Sequence, residues 1–310
     1  RSGGGEGSPA PDSAATEAAW RRAAAAEKSA YGRFCEKLRH PSAKPVVHRM
    51  HQFVTEFAAG RPTSEAAEEI HRFQDRAAAW MLSKAVVFAA DADEEGTREA
   101  EEGLEKFLLC RLYPKLFAAD PADREADAFL SKHLSGLSWI ELQHLGIPPV
   151  ELALFPTAIQ ELRSIDEYRA PKDKLLCILN ACNVINDILK ATHEGLGDGK
   201  VRALSADDFL PLLIFLVIRA NPAHLHSNAE FVAALRHPAR MNGEDAYFAT
   251  AFCSAKEFLA GSGPSSFEVT LEEYTMRYAQ GVASAEARAE KLWRGAPSAE
   301  NGAPAGPEVP

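Results

Sequence analysis

The stretch SADDFLPLLIFLVIRANP, residues 205–222, decides how this chain is read. Two adjacent acids, Asp207 and Asp208, stand before a ten-residue apolar run, Phe209 to Ile218, that carries an internal proline, Pro211. A bilayer span needs about twenty apolar residues, so the run reads as a buried helix of a globular core. Ser205 with Asp208 three residues on has the pattern of a capping box. On that reading both acids are helix N-terminal residues that favour the macrodipole. Pro211 has no N–H and collides with the preceding turn, so the regular helix is expected to start at or near it. On a second reading the acids project from a proline-stiffened corner, where a carboxylate stays solvated and open to a partner.

The flanking sequence is helical almost throughout. Residues 46–60 (VVHRMHQFVTEFAAG) place Val47, Met50, Phe53, Val54 and Phe57 on one stripe that ends at Gly60. From Ser64, read as an N-cap, a second pattern runs through Ile70, Phe73, Ala77, Trp80 and Met81. DADEEG, residues 91–96, reads as an acidic loop, and GLEKFLLCRLYPKLFA after it as a helix bent by Pro114. ADAFLSKHLSGLSWIELQHLGI reads as two short helices. The clearest helix follows Pro171: Leu175, Ile178, Leu179, Cys182, Ile185 and Leu189 make its buried stripe. Asn180, Asn183 and Asn186 flank that stripe and read as polar bridges to neighbouring loops. GLGDGK, residues 195–200, reads as a flexible loop. With no sustained two-residue alternation, the expectation is an all-α fold with helices packed in layers. The Gly/Pro/Ser-rich start (residues 1–14) and the stretch 295–310 read as disordered, and the Ala-rich segment between 14 and 30 as potentially helical.

Composition removes several function classes. The formal charge of −10 over 310 residues argues against a nucleic-acid or anionic-membrane binder, which would cluster Lys and Arg, and suits a protein partner with a basic surface. Five cysteines form no CxxC pair; Cys177 and Cys182 read as small core residues and the set fits a reducing compartment. His48 with His51, and His224 with His226, have no Cys or acid at ligand spacing to complete a zinc set, so neither a metal nor a cofactor is expected. No signal peptide is visible, and a chain that opens at Arg1 reads as an excised fragment.

A second segment, GEDAYFATAFCSAKEFL at 243–259, puts Phe248, Ala251, Phe252, Ala255, Phe258 and Leu259 on a core arc. Tyr247 and Thr250 fall together on its flank, with Ser254 beside them. Such a ledge is either an ordinary core boundary or the lip of a protein-binding groove.

Three segments carry a resemblance: ELRSIDEYRAPKDKLLCILNACNVIND, SADDFLPLLIFLVIRANPAHLHSN and GEDAYFATAFCSAKEFL. In this order they resemble the vacuolar protein sorting nine (Vps-nine) domain, and the likeness runs from about residue 100 to about 262. HPSAKPVVHRMHQFVTEFAAG upstream is similar to the helical bundle that precedes the exchange core in short plant-type members. The resemblance implies a guanine nucleotide exchange factor for Rab GTPases of the Rab-five subfamily, acting in endosomal and vacuolar trafficking, cytoplasmic and peripherally recruited to endosomes. It implies an organisation of tail (1–30), helical bundle (31–100), exchange domain (101–262), C-terminal helical segment (263–294) and tail (295–310). It also implies residue roles. Asp207 matches the first acid of the ADD motif, the "aspartate finger"; Pro211 matches the motif's proline; Tyr247 and Thr250 match the Y-x-x-T pair that meets the GTPase. Asn221 and Pro222 match a structural ANP turn, while Ser205 departs from a frequent glycine. No ubiquitin-binding finger or CUE-like segment is seen. The alternatives are a domain of the same fold that tethers a GTPase without exchange, and a helical scaffold with no catalytic part. An acid–base hydrolase fits poorly, since no His or second acid is placed to partner Asp207.

Overall fold

The computed structural model describes residues 13–60, 63–150, 153, 155–194 and 204–295. Residues 1–12 and 296–310, expected as disordered tails, and the expected flexible loop 195–200 lie outside the described residues. Twelve α-helices are found among the described residues, with single 3-10 turns between some of them and no strand. In chain order they are α1 (Ser13–Arg39), α2 (Lys44–Glu56), α3 (Thr63–Lys84), α4 (Val86–Ala89), α5 (Glu94–Leu116) and α6 (Pro121–Gly136). There follow α7 (Phe155–Ser164), α8 (Pro171–Glu194), α9 (Phe209–Ala220), α10 (Leu225–Leu235), α11 (Gly243–Ala260) and α12 (Leu271–Gly295).

Several expected boundaries move, each for a local reason. α3 begins at Thr63, which places Ser64 inside the helix instead of at its cap, and it stops at Lys84 because Ala85 is extended (φ −87°, ψ 105°). DADEEG is only half a loop: the Asp93 side chain accepts a hydrogen bond from the Gly96 N–H at 2.8 Å, so α5 starts at Glu94 with two acids in its first turn. Pro114 lies within α5, which runs on to Leu116; so near the end of a helix the missing N–H removes little of the ladder. The 119–147 region holds one sixteen-residue helix, α6, followed by a 3-10 turn at Leu142–Leu145.

Burial sorts the helices around two cores. One gathers side chains of α6 to α12, among them Leu134, Leu162, Ile178, Cys182, Leu216, Phe252 and Leu259. The other gathers α1 to α5 around Phe34, Met50, Met81, Phe88, Leu104 and Leu108. A bridging cluster joins them: Phe57 and Ile70 meet Leu109, Leu112 and Leu116 of α5, and Phe231 and Leu235 of α10. α5 therefore passes from the core of α1 to α5 into the bridging cluster and runs unbroken across residue 100. Gly103 allows α1 to sit against it; a Cβ there would fall 2.2 Å from the Phe34 ring. At the other end α6 and α12 approach closely at Gly136 and Gly281, where a Cβ on Gly281 would lie 2.6 Å from the Ser135 carbonyl. Lys115 ties the end of α2 to α5 by donating to the carbonyls of Val54 (2.7 Å) and Phe57 (3.0 Å), partners that a helix C-terminus otherwise leaves unsatisfied.

Candidate functional site

The approach to α9 separates the two acids. Ser205 is extended (φ −124°, ψ 173°), and Ala206–Asp208 make a single 3-10 turn that leads into the helix. The Asp208 carboxylate turns back and accepts from the Ser205 N–H at 2.7 Å and from its hydroxyl at 3.1 Å, the reciprocal half of a capping box. Asp208 is thereby 5 % exposed, and it spends its charge on local hydrogen bonds. Asp207 is exposed. Helix α9 starts at Phe209, two residues before Pro211, so the proline occupies the first turn, where its missing N–H has no intrahelical partner to lose.

The next residue links this corner to α11. The Phe209 ring stacks on Phe248 (centroids 5.7 Å apart, 14° between planes) and meets Tyr247 at 5.8 Å and 44°. Helix α11 is started by Asn242, whose side chain accepts from the Asp245 N–H at 2.8 Å. One helix turn further, Phe248 faces inward, while Tyr247 is 58 % exposed. Thr250 and Ser254 are exposed, each donating its hydroxyl hydrogen to the carbonyl four residues back, at 2.7 and 2.9 Å. Their oxygen lone pairs remain able to accept from a partner. Asp207 thus sits two residues from a ring that meets Tyr247, and two segments forty residues apart in sequence are joined through Phe209. At the far end of α9, Asn221 adopts the left-handed conformation (φ 43°, ψ 61°) and its amide reaches the Ser131 carbonyl and the Ser135 hydroxyl of α6, a C-terminal cap of the kind Asn tolerates.

Asn180 is bridged to a helix and not to a loop: its amide donates to Glu161 of α7 at 2.9 Å, whereas Asn183 is exposed. Sequence reasoning singled out none of the charged groups that hold the layers behind this surface. Glu105 of α5, 1 % exposed, accepts from Arg236 (2.7 Å) and Arg240 (2.6 Å), and Glu102 completes the set with Arg236 at 2.6 Å. Burial opposes the charged form of Glu105, yet the two guanidiniums hold its carboxyl below the usual range. This network grips the connector between α10 and α11, only a few residues before the Asn242 cap. A second buried cation, Lys174 of α8, donates to the Asn228 side chain (2.6 Å) and the Ile165 carbonyl (2.9 Å), and Asn228 donates to Asp166 (2.7 Å). Burial pulls the Lys174 ammonium down to about 8. A polar residue at a helical position whose neighbours are apolar, such as Lys174 in DKLLC, was the only sequence trace of these networks. Among the described residues no group of His, Cys, Asp and Glu could hold a metal ion, and no helix is long and apolar enough to cross a membrane.

Residues 155–263 match the family described as the vacuolar sorting protein 9 (VPS9) domain. Similar over longer stretches are the Vacuolar protein sorting-associated protein vps901 of Schizosaccharomyces pombe, 32% identical over 82% of this chain and 46% of the relative, and the Vacuolar protein sorting-associated protein 9A of Arabidopsis thaliana, 33% identical over 84% of this chain and 49% of the relative. The human Rab5 GDP/GTP exchange factor is 31% identical over 64% of this chain and 40% of the relative. The chain spans about half the length of the curated relatives it matches, or less.

Proposed function

Because the chain is a VPS9-domain protein, we propose that it promotes GDP release from, and GTP loading of, a Rab GTPase of the Rab-five subfamily in endosomal or vacuolar trafficking. The observation that carries the reading is the division of labour between the two acids: Asp208 is buried and holds the turn, while Asp207 is exposed two residues before Phe209, whose ring meets exposed Tyr247.

A Rab holds its nucleotide through a phosphate-binding loop, a lysine on that loop and Mg²⁺. Exchange requires no bond to be made or broken in the factor. It requires tighter binding of the nucleotide-free GTPase than of the loaded one, because only differential affinity shifts an equilibrium. A carboxylate delivered to the emptied site pairs with the loop lysine by a charge-assisted hydrogen bond and opposes the return of phosphate and Mg²⁺. Asp207 is the reaching charge in this scheme. Pro211 stiffens its base, and the buried helix α9 anchors both. Tyr247 and Thr250 grip the GTPase next to the nucleotide site, the ring by contact area and the hydroxyl as an acceptor. The protein acts from the cytoplasmic side and is recruited peripherally to endosomes, with no span of its own required.

Release of a fluorescent GDP analogue from a panel of purified Rabs tests the proposal. Acceleration is expected on Rab-five subfamily members, with little on Rabs outside it. Binding to those members without any acceleration would leave only a tethering module.

A further inference from the structure

A cavity of about 760 Å³ opens between α1, α7 and α8, lined also by Lys106 of α5. That volume suits a bound side chain or small ligand. None of Asp207, Pro211, Tyr247 and Thr250 lines it. Three carboxylates do, and they differ in their partners. Asp173 is paired with Lys106 at 2.9 Å, and Glu27 with Lys172 at 2.7 Å. Glu161 has the Asn180 amide at 2.9 Å and no lysine or arginine among the described residues. Burial raises the Glu161 carboxyl above the ordinary carboxylate range, with the Asn180 hydrogen bond working against it, as expected for an acid drawn out of water without a cation. Lys28, the remaining cation of the lining, is exposed.

Aromatic and apolar surface stands beside this carboxylate. Trp20 and Tyr168 line the same cavity together with Pro156 and Leu176, and Tyr168 is 41 % exposed. An acid that is half-buried and held in orientation by an amide, in a cavity also lined by two electron-rich rings, accommodates a planar cation on an aliphatic stem. The carboxylate accepts its hydrogen bonds, the rings cover its face and the apolar wall takes the stem.

We propose that the cavity between α1, α7 and α8 is a binding site for an arginine side chain presented by a peptide segment, with Glu161 as its counter-charge and Trp20 and Tyr168 as its walls.

The probes are N-acetyl-arginine methylamide, its citrulline counterpart, which keeps the shape without the charge, and free arginine, titrated calorimetrically into the full chain. A probe of this size in such a site is expected to bind saturably with a Kd of about 1 mM. The citrulline probe is expected to bind at least about tenfold more weakly, because the charge-assisted pair is lost. Free arginine carries a charged α-ammonium and α-carboxylate in place of the two capping amides; tighter binding of it than of the capped probe would replace the peptide ligand by a free amino acid and overturn the proposal. Glu161→Gln should weaken the capped probe at least about tenfold, whereas Glu56→Gln, at an exposed acid of α2, should not. The wild-type comparison of arginine with citrulline does not depend on any variant folding. The proposal is overturned if no saturable binding is seen up to about 20 mM, if citrulline binds as well, or if folded Glu161→Gln binds like wild type.

Discussion

The ring of Phe209 lies 5.8 Å from that of Tyr247, centroid to centroid, and so couples the turn that carries Asp207 to the helix that carries Thr250. Phe209 is 5 % exposed and stacked on Phe248. It is the fixed member of the pair, and Tyr247, largely exposed, is the presented one.

The two acids should therefore separate exchange from stability. Asp207→Ala should slow GDP release at least about tenfold, which corresponds to about 1.4 kcal/mol, and leave the melting temperature unchanged. Asp208→Ala removes the capping carboxylate and should cost about 1–2 kcal/mol of stability while keeping most of the exchange rate. Fluorescent GDP release and thermal melts on both variants decide. Wild-type exchange by Asp207→Ala on every Rab that the native protein activates would refute the finger.

Tyr247→Ala should weaken GTPase binding by about 1–3 kcal/mol, the usual range for an interface tyrosine. Its melting temperature should stay close to wild type. Phe252→Ala, at a side chain 1 % exposed on the same helix, should cost about 3–5 kcal/mol of stability. Equal losses of melting temperature in the two variants would make Tyr247 a core residue and remove it from the binding surface.

Glu105 sets a pH dependence. Its carboxyl in the folded chain lies below the ordinary value of 4.5, so the folded state holds the ionised form more strongly than the unfolded state does. The resulting stability is fully present above about pH 4.5 and is lost as pH falls through the lower folded-state value. Glu105→Gln should destabilise by about 3–5 kcal/mol at neutral pH, since Arg240 loses its buried counter-charge. It should also flatten the fall in melting temperature on acidification. An unaltered acid slope in Glu105→Gln would show that other carboxylates carry it.

We expect residues 31–100 and 101–262 to unfold as one unit, because α5 contributes both to the core of α1 to α5 and to the bridging cluster, which spans α2, α3, α5 and α10. Limited proteolysis should leave the middle of the chain intact. A rapid cut near Asp91–Asp93 that frees a separately stable fragment beginning near residue 101 would contradict this.

Much of the scaffold was legible in the residues. The 3.6-residue stripe of α8, the apolar run of α9, the Ser205–Asp208 box and the core arc of α11 are local patterns, set by which side chains are apolar, by which lie on one face of a helix and by hydrogen bonds that close within one turn. For the same reason the flank position of Tyr247 and Thr250 followed from spacing alone. A stripe states that a face is buried but not what buries it. Nothing local tells that Glu105 meets Arg236 and Arg240 across more than 130 residues, or that the ring of Phe209 meets that of Tyr247. Nor does it reveal that α5 serves both a core and the bridging cluster, or that Glu161, held by the Asn180 amide, lines a cavity. The sequence by itself determined the helices, their apolar faces and the cap that separates Asp208 from Asp207. Only the tertiary structure decided which charges are buried together and which side chains share a surface, because those contacts form between helices whose mutual placement depends on packing the whole core.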